Sequence, residues 1–488
     1  MTLKMHEQDL LDKVQAEIGI GGSWGPSGSG ATFAVEDPAT GDIIKSVADA
    51  TVEDAVRALD AAVAAQQEWA ETPSRLRSDI LRRAFDLLME RKEEFALLIS
   101  LEMGKPISEA RGEVVYGGEF LRWFSEEAVR VHGDYRRNPE GTGSITVSHL
   151  PVGPCYFITP WNFPLAMATR KIAPAIAAGC TAVIKPAELT PLTTIYFVQL
   201  MEDAGLPPGV VNVVPTSNPG AQSTVLLADP RLRKLSFTGS TAVGVKLLEA
   251  AAPNVLRTSM ELGGNAPFLV FDDADLDRAV EGVLLAKFRN IGQACTAANR
   301  ILVHDSVADE FVRRVSERVA AMKIGRGADE GNDIGALVDR RAIAKTEVLV
   351  ADAVKSGAEI VTGGAAVAGP GNFFQPTVID KVGLDARLVD EEIFGPVLAI
   401  LRFSSEDEAV RIANDTEYGL VSYVYTENVG RSQRMIEKLQ TGMMGLNTGL
   451  VSNAAAPFGG IKHSGIGREG GFEGIGEFLS TKYTLTPR

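Results

Sequence analysis

The chain has 488 residues, 45% of them hydrophobic and 23% charged, a composition typical of a globular protein large enough to form two or three lobes. Its 48 basic and 63 acidic residues give a formal net charge of −15 with no basic stripe, which excludes nucleic acid as the main partner. No apolar run reaches the roughly 18 residues that would span a membrane, so we expect no membrane partner.

Cysteine and histidine are scarce in this sequence. Cys155, Cys180 and Cys295 are too few and too far apart for a disulfide framework. The N-terminal residues contain no signal-peptide core, so we expect a reducing, cytoplasmic location. The five histidines have no spacing typical of metal ligands, and we therefore expect no metal.

The N-terminal third is predicted to be largely helical. Apolar residues recur at helical spacing after a capping signal at Thr51. Further helical patterns run from about 77 to 101 and from about 108 to 131. A turn at 136–141 then leads to an alternating stretch at 144–150, which predicts an exposed strand.

From Cys155 onward the pattern changes to strand, turn and helix in repetition. Strands are predicted at 155–159, 181–185, 210–214 and 234–237, with helices at 165–178 and 190–205. Strands that alternate with helices predict a parallel sheet covered on both faces. Ligands bind such sheets at the carboxyl ends of the strands.

A second α/β unit is predicted to begin near Pro267 and to extend to about residue 444. It opens with a strand at 268–271 and a helix at 274–288. The tail at 478–485 predicts a terminal strand. This strand either pairs with the one at 144–150, forming a ribbon that builds an oligomer, or the two are unrelated edge strands.

Cys295 carries the strongest chemical signal. It lies among small and polar residues, downstream of Glu261 in a Gly-rich turn. A thiolate attacks a carbonyl carbon, and a carboxylate delivers water to the resulting ester. The alternative is an inert core cysteine, and the surrounding segments argue against it.

Seven short segments occur in a fixed order along the chain. They are 158–164 (ITPWNFP), 185–188 (KPAE), 237–240 (FTGS), 261–265 (ELGGN), 292–295 (GQAC), 392–396 (EIFGP) and 457–462 (PFGGIK). This set resembles the aldehyde dehydrogenase superfamily over nearly the whole chain. Its details are most similar to succinate-semialdehyde and glutarate-semialdehyde dehydrogenases.

The resemblance implies an α/β protein with the aldehyde dehydrogenase fold. A Rossmann-like parallel-sheet domain that binds the cofactor is expected at 1–131 and 151–260, and a second α/β domain, the catalytic one, at 261–450. A small β ribbon for oligomerisation is expected at 132–150 and 470–488. The resemblance also implies a homodimer or homotetramer.

The resemblance assigns three catalytic residues. Cys295 is the nucleophile, and its attack gives a thiohemiacetal. Asn162 and the backbone N–H of Cys295 are the donors that stabilise the developing oxyanion. Glu261 activates water to hydrolyse the later thioester. Taken alone, Asn162 is also compatible with a plain turn residue and Glu261 with an ordinary acid at the end of a strand.

The implied cofactor is NAD or NADP, although the Gly-x-Gly-x-x-Gly fingerprint is absent. Gly239 and Ser240, at a helix start, match the pyrophosphate site. Lys185 and Glu188 match the adenine-side ribose site, where a carboxylate favours NAD over NADP without excluding dual use. The remaining residues assigned to the cofactor are Ile158, Thr159, Pro160, Trp161, Phe237, Val243, Leu262, Gly263, Glu392 and Phe394.

A semialdehyde acid requires a cation for its far carboxylate. Arg170, Arg289 and Ser452 match the residues that hold this carboxylate in the semialdehyde enzymes, and Phe163 and Phe458 are assigned to the same substrate site. Pairing of both arginines with surface acids is the alternative. Succinate and glutarate semialdehyde differ by one methylene, and no residue decides between them.

The predicted function is oxidation of a semialdehyde acid to a dicarboxylate. A general aldehyde dehydrogenase, or one with a different substrate, is the main alternative. A CoA-acylating enzyme would not need Glu261, and a cofactor-free thiol hydrolase would not need the dinucleotide segments. A catalytically silent binding protein would not need Cys295, Glu261 and Asn162 together. Ala297 stands where some relatives have a second cysteine, so we expect no regulatory disulfide there.

Overall fold

A computed structural model describes residues 3–488. The helices are α1 (Met5–Lys13), α2 (Val52–Glu71), α3 (Ser74–Glu90), α4 (Lys92–Met103), α5 (Ile107–Glu127), α6 (Ala166–Ala178), α7 (Leu192–Asp203), α8 (Pro219–Ala228), α9 (Thr241–Ala251), α10 (Leu276–Phe288), α11 (Asp305–Ala320), α12 (Arg340–Lys355), α13 (Arg387–Asp390), α14 (Glu406–Asn414), α15 (Val429–Lys438) and α16 (Gly471–Gly476). Among residues 3–488, no helix is long and apolar enough to cross a membrane.

The strands form two large sheets and three small ones. They are β1 (Ile18–Ile20), β2 (Ser23–Gly25), β3 (Thr32–Glu36), β4 (Ile43–Ala48), β5 (Asp134–Arg137), β6 (Gly143–Pro151), β7 (Cys155–Ile158), β8 (Ala182–Lys185), β9 (Val211–Val213), β10 (Lys234–Thr238), β11 (Arg257–Glu261), β12 (Ala266–Val270), β13 (Ala298–His304), β14 (Glu359–Thr362), β15 (Thr377–Asp380), β16 (Val397–Phe403), β17 (Tyr418–Gly419), β18 (Val421–Tyr425), β19 (Met443–Leu446), β20 (Ile461–Lys462), β21 (Gly465–Ile466) and β22 (Leu479–Pro487).

The first large sheet has the strand order β2-β1-β9-β8-β7-β10-β11-β21. Its five central strands are parallel. Alternate residues of β7 enter two separate cores, with Phe157 in one and Tyr156 in the other, because helices cover both faces. The order reverses between β7 and β10, and this switch point is where open α/β sheets bind ligands.

The second large sheet has the order β14-β15-β16-β13-β12-β18-β19 and its own hydrophobic core. The Gly-rich turn after Glu261 leads into β12, and the Cys295 loop leads into β13. Both segments therefore lie at the amino ends of neighbouring parallel strands. After β19 the chain returns to the first sheet, where β21 pairs with β11.

A three-stranded sheet of order β22-β6-β5 stands apart from the other two. β22 pairs antiparallel with β6 over nine positions, from Leu479 opposite Pro151 to Pro487 opposite Gly143. Of the two alternatives that the sequence left open, the tail therefore pairs with the 144–150 strand. The segment 470–488 also contains α16, so only its second half is strand. The proposed division into domains stays a prediction.

Two local predictions were wrong. The helix predicted at about 77–101 is two helices that meet at Arg91, whose ψ of 18° interrupts the helical backbone. The apolar spacing continues across a break of a single residue, which is why the pattern did not reveal it. Arg136 and Arg137 belong to β5, and the turn is confined to 138–142, where Asn138 and Gly143 are hydrogen-bonded.

Candidate active site

The carboxyl edge of the first sheet faces the amino edge of the second across a cavity of about 350 Å³. Segments after β7, β10 and β11 form one wall, and the segments before β13 and β16 form the other. The motif residues that line it are Pro160, Trp161, Asn162, Thr238, Gly239, Ser240, Leu262, Gly263, Cys295, Glu392, Ile393 and Phe394. Residues from five of the seven motifs, separated by up to 234 positions, therefore converge on one cavity.

The turn that presents Cys295 has an unusual backbone. Asn290, Ile291 and Gly292 all have left-handed φ values, of 57°, 60° and 73°. A β-branched residue rarely adopts this conformation, and such strain persists only where the surroundings enforce it. Close packing does so here: a Cβ on Gly292 would lie 2.2 Å from the Gly395 carbonyl oxygen, and one on Gly264 would lie 2.5 Å from that of Cys295.

Asn162 is tied to this turn by hydrogen bonds. Its side-chain Nδ2 donates to the Gln293 carbonyl at 3.0 Å. Its own carbonyl accepts from Asn290 Nδ2 at 3.0 Å and from the buried Lys105 Nζ at 2.8 Å. Asn162 lines the cavity that Cys295 also lines, and its side-chain Oδ1 has no hydrogen-bond partner among residues 3–488. The pair has the composition of a nucleophile with an oxyanion donor.

Burial dominates the electrostatics of the two reactive groups. It raises the pKa of the half-buried Cys295 thiol to about 12, partly opposed by the positive charge of Arg170. Glu261 is buried, and its Oε2 makes no hydrogen bond with any described residue. Burial, followed by the negative charge of Glu469, raises the pKa of Glu261 well above its ordinary value. Burial therefore favours the uncharged form of both groups in the resting site.

A buried ion cluster lies beneath these residues, and its acid was missed by the sequence reasoning. Glu469 lies 2.6 Å from Arg170 Nη2 and 2.5 Å from Lys171 Nζ, measured from its two carboxylate oxygens. Burial would raise the pKa of Glu469, but the two cations outweigh it and lower that pKa. The sequence did contain a signal for a buried partner acid, because Arg170 and Lys171 are two charged residues on the largely apolar, fully buried α6.

The carboxyl edge of the first sheet has the features of a dinucleotide site. Ile158 is paired in register with Lys185 on one side and Phe237 on the other. Ser240 is the N-cap of α9, and no side chain caps that helix, so its first backbone N–H groups are available to an anion. A Cβ on Gly239 would lie 2.4 Å from the Phe237 ring, which leaves glycine as the residue that fits.

The Aldehyde dehydrogenase family model matches residues 24–484. The chain belongs to the aldehyde dehydrogenase family. It is 58% identical to a succinate-semialdehyde dehydrogenase of Paenarthrobacter nicotinovorans, over 90% of this chain and 98% of that protein. It is 47% identical to a glutarate-semialdehyde dehydrogenase of Pseudomonas aeruginosa, over 95% and 96%. The crystal structure of an E. coli NADP-dependent enzyme superposes with a TM-score of 0.97 at 44% identity, covering 99% of this chain and 100% of that one.

The predicted family and the predicted α/β fold class are thereby confirmed, and the chain is an NAD(P)-dependent aldehyde dehydrogenase. No group of three or more histidine, cysteine, aspartate or glutamate side chains within 3–488 is arranged to hold a metal ion.

Several residues assigned to the cofactor lie outside the wall of the main cavity in this aldehyde dehydrogenase. Lys185 Nζ lies 3.4 Å from Glu188 Oε2, and the Glu188 side chain is 43% exposed. Thr159 is buried, whereas Val243 is exposed on α9. Conversely, the start of α12 contributes wall residues that the motifs missed, among them Lys345, which donates to the Glu392 carbonyl at 2.6 Å. The sequence motifs did not predict that α12 lines the cavity, because α12 reaches the cavity through its position in the second lobe and has no local sequence signature.

A second cleft, of about 280 Å³, contains three of the predicted substrate residues: Phe163, Arg289 and Ser452. Arg289 Nη2 donates to Thr296 Oγ1 at 3.3 Å, next to Cys295, and to Ser452 Oγ at 3.5 Å. Phe163 packs against the Arg289 guanidinium, with 5.5 Å between the ring centroid and Cζ.

The other two predicted substrate residues are placed behind this cleft. Arg170 is fully buried, and its guanidinium is engaged by Glu469. Phe458 lies beneath the Arg170 guanidinium, at 4.0 Å from ring centroid to Cζ. The positive charge of Arg170 nevertheless reaches Cys295 and favours its thiolate.

Proposed function

We propose that this aldehyde dehydrogenase oxidises a semialdehyde acid, succinate semialdehyde or glutarate semialdehyde, to the dicarboxylate with NAD or NADP. The observation that carries the proposal is the half-buried Arg289, which lines a cleft beside the Cys295 loop together with Ser452. A guanidinium binds a carboxylate through two parallel hydrogen bonds, so this position selects an aldehyde that carries a second, charged end. Relatives named for both semialdehydes support the same reading.

The first chemical step follows from the geometry around Cys295. Its thiol must lose a proton, and the nearby charges of Arg170 and Arg289 favour the thiolate against the effect of burial. Attack of the sulfur on the aldehyde carbon gives a thiohemiacetal whose oxygen carries the negative charge. The side-chain amide of Asn162 and the Cys295 backbone N–H are the proposed donors for that oxygen. One such donor is worth about 3–4 kcal/mol in the transition state.

The residues that would hold the cofactor lie on both walls of the main cavity: Gly239 and Ser240 at the pyrophosphate, and Glu392 and Phe394 at the nicotinamide end. When bound, the cofactor supplies the hydride acceptor. Glu261 then acts on the thioester left on Cys295: its carboxylate takes a proton from water, the oxygen attacks the acyl carbon, and the sulfur leaves. A carboxylate with a raised pKa is suited to this general-base step.

Replacement of Arg289 tests the proposed substrate class. Arg289→Met keeps much of the side-chain volume and removes the charge. It should lower kcat/KM for both semialdehyde acids about 100-fold, as expected when a charge-assisted hydrogen bond is lost, and should change butanal oxidation little. Arg122→Met is the matched control, because Arg122 is an exposed arginine on α5 that pairs with Glu119. A similar loss on butanal would make Arg289 a structural residue and leave a general aldehyde dehydrogenase.

The cofactor preference, the assembly and the location complete the proposal. Glu188 favours NAD, because its carboxylate accepts from a ribose 2′-hydroxyl but repels a 2′-phosphate.

We infer a homodimer or homotetramer that is built on the β22–β6 ribbon, since eight of the nine residues of β22 are exposed and one edge of the strand is unpaired. A cytoplasmic location is supported by three free thiols.

A further inference from the structure

The cleft that holds Arg289 also contains a tyrosine that no motif singled out. Tyr116 lies on α5, and its side chain lines the cleft together with Arg289 and Ser452. Its ring packs edge-on against Phe120, with the centroids 5.1 Å apart and the planes at 73°. Because this edge-to-face packing restrains the ring, the hydroxyl has a defined position at the cleft wall.

The Tyr116 hydroxyl is buried, and it makes no hydrogen bond of normal geometry with any residue from 3 to 488. Ser452 lies beside it, and the positive charges of Arg170 and Arg289 reach it. Burial raises the pKa of Tyr116 and outweighs both cations, so the hydroxyl keeps its proton at neutral pH and is a donor. Ser452 interacts with this hydroxyl but lies outside normal hydrogen-bond geometry, so the buried donor lacks a well-placed acceptor.

The charges in the cleft identify the missing acceptor as an anion. Glu113 is compensated by Lys105, with 2.5 Å between Oε2 and Nζ. Glu109 accepts from the Asn290 backbone N–H at 2.6 Å, and burial raises its pKa to about 7 against the opposing charges of Lys105 and Arg289, which reduces its negative charge in the cleft. Arg170 is committed to Glu469 outside the cleft wall. The groups left to meet a ligand are the Arg289 guanidinium and the hydroxyls of Ser452 and Tyr116, contributed by three separate segments of the chain.

A carboxylate has about four lone-pair sites on its two oxygens, and the fork of one arginine satisfies two of them. We propose that the Tyr116 hydroxyl donates a further hydrogen bond to the far carboxylate of the substrate, opposite Arg289, and thereby sets the preference for aldehyde acids; this rests on the proposed function. Tyr116 is then a specificity-determining residue that contacts the substrate away from the reacting carbon.

The test is Tyr116→Phe, which removes the hydroxyl and keeps the ring that packs on Phe120. We expect kcat/KM for succinate and glutarate semialdehyde to fall about tenfold or more, the loss expected for one hydrogen bond to a charged acceptor. The loss should appear mainly in KM, with butanal oxidation within about twofold of the unmodified enzyme. The inhibition constant of succinate, a product-like dicarboxylate, should rise by the same factor. Tyr156→Phe is the control, since that buried hydroxyl lies 3.2 Å from Ser223 in another part of the molecule.

Two results would overturn the inference. Unchanged acid-aldehyde kinetics and succinate inhibition in Tyr116→Phe would show that the hydroxyl does not touch the carboxylate. An equal loss on butanal would show that Tyr116 only shapes the cleft. Each result is compared with the unmodified enzyme and with Arg289→Met. If the unmodified enzyme prefers acid aldehydes and Arg289→Met loses that preference, the proposed function stands and only the role of Tyr116 is rejected. If the unmodified enzyme shows no such preference, the proposed function itself fails.

Discussion

Cys295 and Glu261 share an environment that disfavours charge on either group. Burial raises the pKa of the Cys295 thiol to about 12. Burial and the negative charge of Glu469 raise the pKa of the Glu261 carboxyl. Arg170 opposes both shifts, and Lys171 opposes that of Glu261. Burial favours the neutral form of both groups, and each group must ionise in the step that uses it. The two steps can therefore be separated by kinetics and by pH.

Glu261→Gln should separate them. The variant should still release a burst of NADH, because Cys295 is intact, while its steady-state rate falls by about 100-fold or more, the usual contribution of a general base. Since a raised pKa leaves part of Glu261 protonated well above pH 4.5, the steady-state rate of the unmodified enzyme should rise with pH. In Glu261→Gln that dependence should disappear. Rapid-mixing measurement of NADH from pH 6 to 9 checks this.

Cys295→Ala is the comparator, and it should show neither a burst nor turnover. Two results would remove the assigned role of Glu261. One is an unchanged steady-state rate in Glu261→Gln, and the other is loss of the NADH burst in that variant although the environment of Cys295 is unchanged.

At the scale of elements, one buried ion pair fixes the position of the oxyanion donor. Lys105, in the loop between α4 and α5, pairs with Glu113 of α5 and donates to the Asn162 carbonyl at 2.8 Å. Glu113 in turn accepts from the backbone N–H groups of Leu165 and Ala166 at the start of α6. This salt bridge thus joins the α4–α5 loop, α5, the Asn162 turn and α6, the helix that carries Arg170.

Lys105→Met should leave the Glu113 carboxylate buried without its cation. We expect a loss of about 3–5 kcal/mol in the free energy of the first unfolding transition, together with a lower kcat as Asn162 loses one anchor. Urea denaturation and steady-state kinetics measure the two effects. Arg313→Met, which breaks the exposed pair with Glu310, is the control and should change stability by at most about 0.5 kcal/mol. Equal stability of both variants would contradict the account.

The fold of the whole molecule brings together residues that are far apart in sequence. Site residues that belong to a local motif can therefore be predicted from the sequence, and those that depend only on long-range packing cannot. The short motifs around Asn162, Gly239 and Cys295 were found because each keeps a local pattern, and the sheet edges then place them at one cavity. Glu469 was missed because it is 299 residues from Arg170, and nothing local marks such a pairing. Tyr116 was missed for the same reason, because in the sequence of α5 nothing distinguishes it from the other aromatic residues of the helix.

The β22–β6 ribbon makes a prediction about assembly. Tyr483 and Leu485 are two residues apart on one face of β22 and are 70% and 55% exposed. Introducing Tyr483→Asp and Leu485→Asp together should split the oligomer into single chains, because charges on an apolar contact prevent its burial. Light scattering after size-exclusion chromatography measures the mass. Thr484→Asp, on the opposite face, is the control. If the double variant keeps the mass of the unmodified enzyme, this face is not the contact.

The central claim is that a cation at the cleft beside Cys295 selects aldehydes with a far carboxylate. The most direct measurement is the initial rate of NADH and NADPH formation by the unmodified enzyme with succinate semialdehyde, glutarate semialdehyde and butanal at matched concentrations. The account predicts a kcat/KM at least about 100-fold higher for one or both acids than for butanal, with NAD preferred over NADP. Equal efficiency on butanal would contradict it and would make Arg289 and Ser452 structural residues.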